Sequence, residues 1–143
     1  MQQLTTRELH ETELRRQTIH AVQTMRREMT LLADALVAQG AAAANIEMAL
    51  QSDLSLTEIM AHAPIAETRT TLTQQALAFD VARKAARHAM VAMMLADDFT
   101  IADIAKVFGV SRQLASRLAT EVRASASTGD TKPATRAQAA ERT

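Results

Sequence analysis

No glycine or proline interrupts residues 5–39. A stretch of that length without a chain breaker is too long for a strand and reads as one long helix. Thr5 or Thr6 can cap it, and Glu8 sits in the first turn, where a negative charge suits the helix dipole. Gly40 is the expected stop. From Ile19 the apolar positions run Ile19, Val22, Met25, Met29, Leu32 and Leu36, close to a heptad seam. Leu4, Leu9 and Leu14 recur every five residues, which is no seam, so the first half is expected to be half-solvated or to pack at a different angle. Such a helix cannot bury its stripe alone. It pairs with a second copy, the preferred reading, or closes over the rest of the chain. Arg15, Arg16, Arg26 and Arg27 beside Glu11, Glu13 and Glu28 read as a solvated face, with Arg26 and Arg27 as alternative phosphate contacts.

The next signals are also helical. Residues 41–52 favour helix by propensity, with Ile46, Ala49 and Leu50 on a short apolar face. Ser55 and Glu58 form a capping box ahead of Ile59 and Met60, and Pro64 ends that helix. Residues 68–96 are expected to form a further long helix, bent or broken near its threonine-rich start, burying Leu72, Leu77, Val81, Val91 and Leu95. Asp97 and Asp98 end it at a turn.

Residues 100–122 (TIADIAKVFGVSRQLASRLATEV) carry the densest pattern. Thr100 is an N-cap with Asp103 in the capping-box position. Ile101, Ile104, Ala105 and Phe108 share a face. Gly109 can adopt the left-handed conformation that ends a helix. Val110 fills the turn, Ser111 caps the next helix, and Leu114, Ala115 and Leu118 give that helix a buried stripe. Arg112, Gln113, Ser116, Arg117 and Thr120 point the other way. Ile104-Ala105, Phe108-Gly109-Val110-Ser111-Arg112-Gln113 and Leu118 resemble the helix-turn-helix of bacterial transcription regulators. That resemblance spans about 23 residues. It implies that the second helix, 111–123, enters the major groove, where arginine and glutamine can contact guanine and adenine edges. Ser111, Arg112, Gln113, Ser116 and Arg117 are the expected base contacts. Thr100, Lys106 and Thr120 are candidate phosphate contacts, and Arg83, Lys84 and Arg87 form a one-turn basic cluster on the preceding helix.

A shift of 45 residues lays Ser55, Glu58, Ile59 and Pro64 on Thr100, Asp103, Ile104 and Gly109, which suggests a degenerate second copy. Its outer face is wrong for DNA, with Ala66 and Glu67 where Ser111 and Arg112 stand. Two amphipathic helix pairs of similar length would also align this way by chance.

Net charge is zero over 143 residues, which by itself argues against a nucleic-acid partner. The distribution is uneven. Residues 41–80 sum to −4 and residues 81–124 to +3, so the basic excess lies with the helix-turn-helix pattern. One such unit would bind DNA weakly and lose affinity with salt, and a dimer would correct this. From Ser125 no large apolar residue remains, and residues 125–143 read as a disordered tail in which Lys132, Arg136 and Arg142 add at most weak phosphate contacts.

Enzyme chemistry finds no purchase. There is no cysteine and no phosphate-binding glycine loop, and His10, His20, His62 and His88 are scattered. No metal or cofactor is expected. The longest apolar runs fall short of a membrane span and no signal-peptide core is present, so a cytoplasmic, nucleoid-associated protein is expected. The excess of arginine over lysine suggests a GC-rich bacterial genome.

The expected fold is all-α: a long N-terminal helix for dimerisation (1–40), a central helical pair (41–75), a tri-helical helix-turn-helix unit (76–124) and the tail. The expected function is sequence-specific binding of duplex DNA as a regulator or DNA-organising protein, through a homodimer. The rival is a non-enzymatic adaptor that holds a transcription factor or polymerase component through the acidic 41–80 segment.

Overall fold

The computed structural model describes residues 5–128, and every described element is helical. The order is α1 (Thr6–Leu50), α2 (Leu56–His62), α3 (Ile65–Ala96), α4 (Ile101–Phe108) and α5 (Arg112–Thr128). Two compact units are present, divided between Ala89 and Met90 inside α3.

In the first unit α1 does not stop at Gly40. It runs on as one helix of 45 residues, about 68 Å long. One glycine costs a helix interior only about 0.5–1 kcal/mol relative to alanine. The four alanines at 41–44 have the best helix propensity of any residue and offset it. The predicted separate helix over 41–52 is therefore the end of α1. By length and composition alone α1 is long and apolar enough to cross a membrane, with mean hydropathy 1.3 over its most apolar stretch.

Thr5 caps α1 as expected, in a closed box with Glu8. Both backbone and hydroxyl of Thr5 donate to the Glu8 carboxylate, which holds its pKa below the usual range. Ser55 and Glu58 repeat this box at α2, with the same effect on Glu58. Ala63 is extended (φ −78°, ψ 121°), as the residue before a proline prefers. Pro64 then opens α3, its carbonyl accepting from the Thr68 N–H at 3.0 Å. No break interrupts the helix at its threonine-rich start, and it begins at Ile65 rather than at residue 68. Thr68 and Thr70 turn their hydroxyls onto the carbonyls of Pro64 and Ala66, which satisfies them without breaking the helix.

Most covered positions of α1 follow an alternation of four and three: Leu14, Thr18, Ala21, Met25, Glu28, Leu32, Ala35, Gln39, Ala42, Ile46 and Ala49, with Glu13, Val22 and Thr24 half-covered beside them. Over residues 65–89 of α3 the matching positions are Thr68, Leu72, Gln75, Phe79, Ala82, Ala86 and Ala89. The Thr18 hydroxyl donates chiefly to the Leu14 carbonyl of its own helix at 2.8 Å and lies 3.3 Å from the Ala89 carbonyl, a contact that marks the antiparallel register. Counting from that contact sets Ala21 level with Ala86, Met25 with Ala82, and Gln39 with Thr68. Ala35, Ala82 and Ala86 are the buried residues of this seam, and Ala86 is fully enclosed. Leu77 and Val81, expected inside, are 64% and 69% exposed. The fully buried positions of the seam are alanines, with larger residues such as Leu32, Leu72 and Phe79 half-covered beside them.

The predicted dimer seam divides accordingly. Met25 and Leu32 belong to the intramolecular seam and Val22 is half-covered, whereas Ile19, Met29 and Leu36 stand exposed. Their mixed spacing came from reading two neighbouring strips of one helix as a single line.

The second unit is built differently. Val91, Ile104, Ala105 and Ala115 form its centre, and Met94, Leu95, Ile101, Phe108, Val110 and Val122 pack around them. α3 ends with Asp98 in the left-handed conformation (φ 60°). The Phe99 N–H returns to the Met94 carbonyl at 2.9 Å and the Asp98 N–H to Leu95 at 3.3 Å, the paired closure of a Schellman motif. The expected stop at Asp97 and Asp98 is thus present. α5 runs through Thr128, four residues into the expected tail. Ser125, Ser127 and Thr128 bond back to carbonyls of the preceding turn. The remainder of the predicted tail, with Lys132, Arg136 and Arg142, lies outside the described residues.

Candidate nucleic-acid interface

α4, a three-residue connection and α5 form the site. Thr100 closes its capping box with Asp103, both its N–H and its hydroxyl donating to the carboxylate at 2.9 and 2.6 Å. These bonds lower the Asp103 pKa, with Lys106 adding a smaller charge contribution. Gly109 is left-handed (φ 63°, ψ 35°), a conformation that strains any residue bearing a Cβ. The Val110 N–H reaches back to the Ala105 carbonyl at 3.0 Å, so the chain reverses within one residue of the helix end. Val110 then packs on the core, and the Ser111 hydroxyl accepts from the Leu114 N–H at 3.2 Å as an N-cap.

α5 buries Ala115, Leu118 and Ala119. This orients the opposite face. Arg112, Gln113, Ser116, Arg117 and Thr120 are all exposed, as is Ser111 before them. No acidic residue falls between Ser111 and Thr120, so this face presents two guanidinium groups, one carboxamide and hydroxyls. Arg123 lies one heptad beyond Ser116 and is also exposed.

The candidate phosphate contacts fare unequally. Lys106 is exposed on α4. The Thr100 hydroxyl hydrogen is committed to Asp103 and that of Thr120 to the Ser116 carbonyl at 3.0 Å, so neither is a free donor. Arg83 and Lys84 both grip Asp80, each at 2.7 Å, and together they hold its carboxyl below the usual range, Lys84 foremost. Arg87 is half-buried, with its Nε enclosed and lacking a hydrogen-bond partner. These three residues lie in the first unit, so the basic cluster expected from sequence is partly neutralised.

No protein family, curated protein or solved structure matches the chain.

The suggested repeat meets the structure at its caps but not at its turn. Ser55 and Thr100 have nearly the same backbone conformation and the same box. After α2 the chain goes through an extended Ala63 and Pro64 straight into α3, whereas after α4 it reverses through left-handed Gly109. Proline cannot adopt that reversal, because its ring fixes a negative φ.

One feature of the first unit left no clear sequence signal. A cavity of about 390 Å³ lies between the end of α1 and α2, lined by Ile46, Ala49, Leu54, Ile59 and Pro64 with Asn45, Glu58 and His62 at polar points. Met48, Leu54, Leu56 and Met60 are exposed apolar residues of the same region. The only hint in the sequence was that these apolar residues fall off the seam of an otherwise acidic segment.

Proposed function

We propose that the second unit binds double-stranded DNA in a sequence-specific manner, with α5 as the recognition helix of a helix-turn-helix. The observation that carries this reading is the outward row Ser111, Arg112, Gln113, Ser116 and Arg117. That row is free of carboxylates and stands at the exposed N-terminal half of a helix whose other face is locked on Ile104 and Ala105. Arg112 and Arg117 suit guanine, Gln113 suits adenine, and each good bidentate contact is worth about 1–3 kcal/mol of base discrimination. Lys106 and Arg123 serve as phosphate contacts. Two copies, joined through α1, would present two recognition helices to sites about 34 Å apart on a palindromic operator. In this reading the protein is a bacterial transcription regulator or DNA-organising protein, works beside the nucleoid in the cytoplasm and performs no catalysis.

The test is fluorescence anisotropy on genomic and random duplex fragments across a salt series, with the Arg112→Ala/Arg117→Ala double variant alongside. The expected result is fragment-selective binding that weakens steeply with salt and that the variant loses. Absence of wild-type binding at low salt overturns the reading.

A second reading, the adaptor that holds a transcription factor or polymerase component, is favoured by the apolar cavity and its exposed rim within the acidic segment. Capture of a protein partner that persists in the double variant and is lost in Ile59→Asp supports it.

A further inference from the structure

We propose that two copies of the chain pair antiparallel along the outer strip of α1, with Leu36 of each copy seated over Gly40 of the other. This rests on the pairing part of the functional reading above and not on DNA binding.

The strip is a second heptad row beside the one that packs on α3. Met29, Leu36, Ala43 and Leu50 recur every seven residues. Of these, Met29, Leu36 and Leu50 are 47%, 53% and 58% exposed. Between them Arg26, Ala33, Gly40 and Glu47 recur at the same interval. The alternation of three and four that results is the pattern helices use to pack along their length. Ala38, Ala42 and Asn45, which line cavities of the first unit, lie on the other flank of α1, and every residue of this strip is exposed.

Gly40 points to what covers it. It sits mid-helix, with no left-handed φ to require a glycine. A Cβ built there meets nothing within 4 Å, so nothing inside the chain needs the residue to be small. Its absent side chain leaves a notch between Ala33 and Ala43, one turn from an exposed Leu36. A strip that carries both a knob and a notch one turn apart is complementary to itself when a two-fold axis lies between them.

Charge sets the direction. Arg26 and Glu47 stand at opposite ends of the strip, and neither is in an ion pair among the described residues. Parallel pairing would oppose Arg26 to Arg26 and Glu47 to Glu47. Antiparallel pairing with Leu36 over Gly40 brings each Arg26 within about one helical turn of the partner's Glu47, and places Ala33 across from Ala43. The occupant of the strip is therefore a second copy of this chain.

The experiment uses the full chain without DNA, so a failure of pairing and a failure of DNA binding are seen separately. Sedimentation velocity over a micromolar concentration series should show a dimer. Gly40→Leu should weaken it at least tenfold with no loss of helix by circular dichroism, because the monomer has room for the side chain. Arg26→Glu should weaken it too, and Arg26→Glu/Glu47→Arg should restore it. The chain has no cysteine, so Ala33→Cys and Ala43→Cys introduce sole thiols. Mild oxidation of the two variants mixed should give the mixed disulfide in several-fold excess over either homodimer. A monomer at high micromolar concentration, an unweakened Gly40→Leu dimer, or homodisulfides in equal or greater yield would each overturn the proposal.

Discussion

The two units solve the same problem in opposite ways. The second gathers its apolar side chains into one point, where Val91 and Ile104 are completely enclosed. The first draws a line of alanines along two long helices, and its enclosed residues are Ala35, Ile59, Ala82 and Ala86. Burial of a valine or isoleucine is worth about 1.5–3 kcal/mol, against about 0.8 kcal/mol for a single methyl group. A point core therefore depends on a few residues. A line core depends on many small contributions and on the close approach that small side chains permit. The larger unit has the thinner core.

The strongest way to break this comparison is at the point core. Ile104→Ala should cost about 2–5 kcal/mol and remove amide protection across residues 90–128. Leu77→Ala, on the exposed side of α3, should stay within about 0.5 kcal/mol of wild type. Equal losses from the two, read by urea titration with hydrogen exchange, would erase the distinction. Next comes the line core, where Ala86→Leu should cost about 1–3 kcal/mol by forcing the hairpin apart. That variant should lower protection in α1 before it lowers protection in α5.

The two glycines give a smaller pair of effects with opposite signs. Gly109→Ala places a Cβ at φ 63° and should cost about 1–2 kcal/mol. Gly40→Ala adds a methyl group to an unstrained, open position and should stabilise α1 by about 0.5–1 kcal/mol. Thermal denaturation at a concentration low enough to keep the chain monomeric reads both. A loss at both positions would place a hidden constraint at Gly40.

The smallest effect is the response to acid. The pKa values of Glu8, Glu58, Asp80 and Asp103 are lowered, chiefly by hydrogen bonds from Thr5, Ser55, Lys84 and Thr100 respectively. Glu13 falls from 4.5 to about 2, through hydrogen bonds from Arg16 and then Gln17. A carboxyl with a depressed folded pKa contributes stability above its unfolded pKa and loses it as pH falls through the folded value. All five groups are open to solvent, so each contribution is slight. Four of them lie in the first unit and Asp103 in the second. Acid titration from pH 5 towards pH 2 should therefore lower the melting temperature of the first unit more. A greater shift in the second unit would contradict the pKa directions.

Much of the second unit was legible in the sequence because each of its boundaries is set by one residue with one conformational consequence. Thr100 and Asp103 close a box, Gly109 reverses the chain, and Ser111 starts the next helix. The first unit was less legible because its signals act by accumulation. A lone glycine reads as a stop until four alanines after it are weighed, and Gly40 lost that contest. Leu77 and Val81 read as core because they are large, although an alanine seam is recognised by what is small. The outward row of α5 could be foreseen from Leu118 alone, since fixing one buried position on a helix orients the rest. That Thr100 and Thr120 donate their hydroxyl hydrogens within the chain could not be foreseen, because the hydroxyl's choice of partner depends on the rotamer.

A core laid out as a line also sets how the first unit opens. No central plug holds the α1–α3 hairpin, and its most enclosed residues, Ala82 and Ala86, lie at the Thr18 end, away from α2. Opening is then a sequence of small steps, with the α2 end unzipping first and often and the level of Thr18 last. Amide exchange should form a gradient along α1, fast near Leu50 and slow near Thr18, while the amides around Ile104 exchange together or not at all.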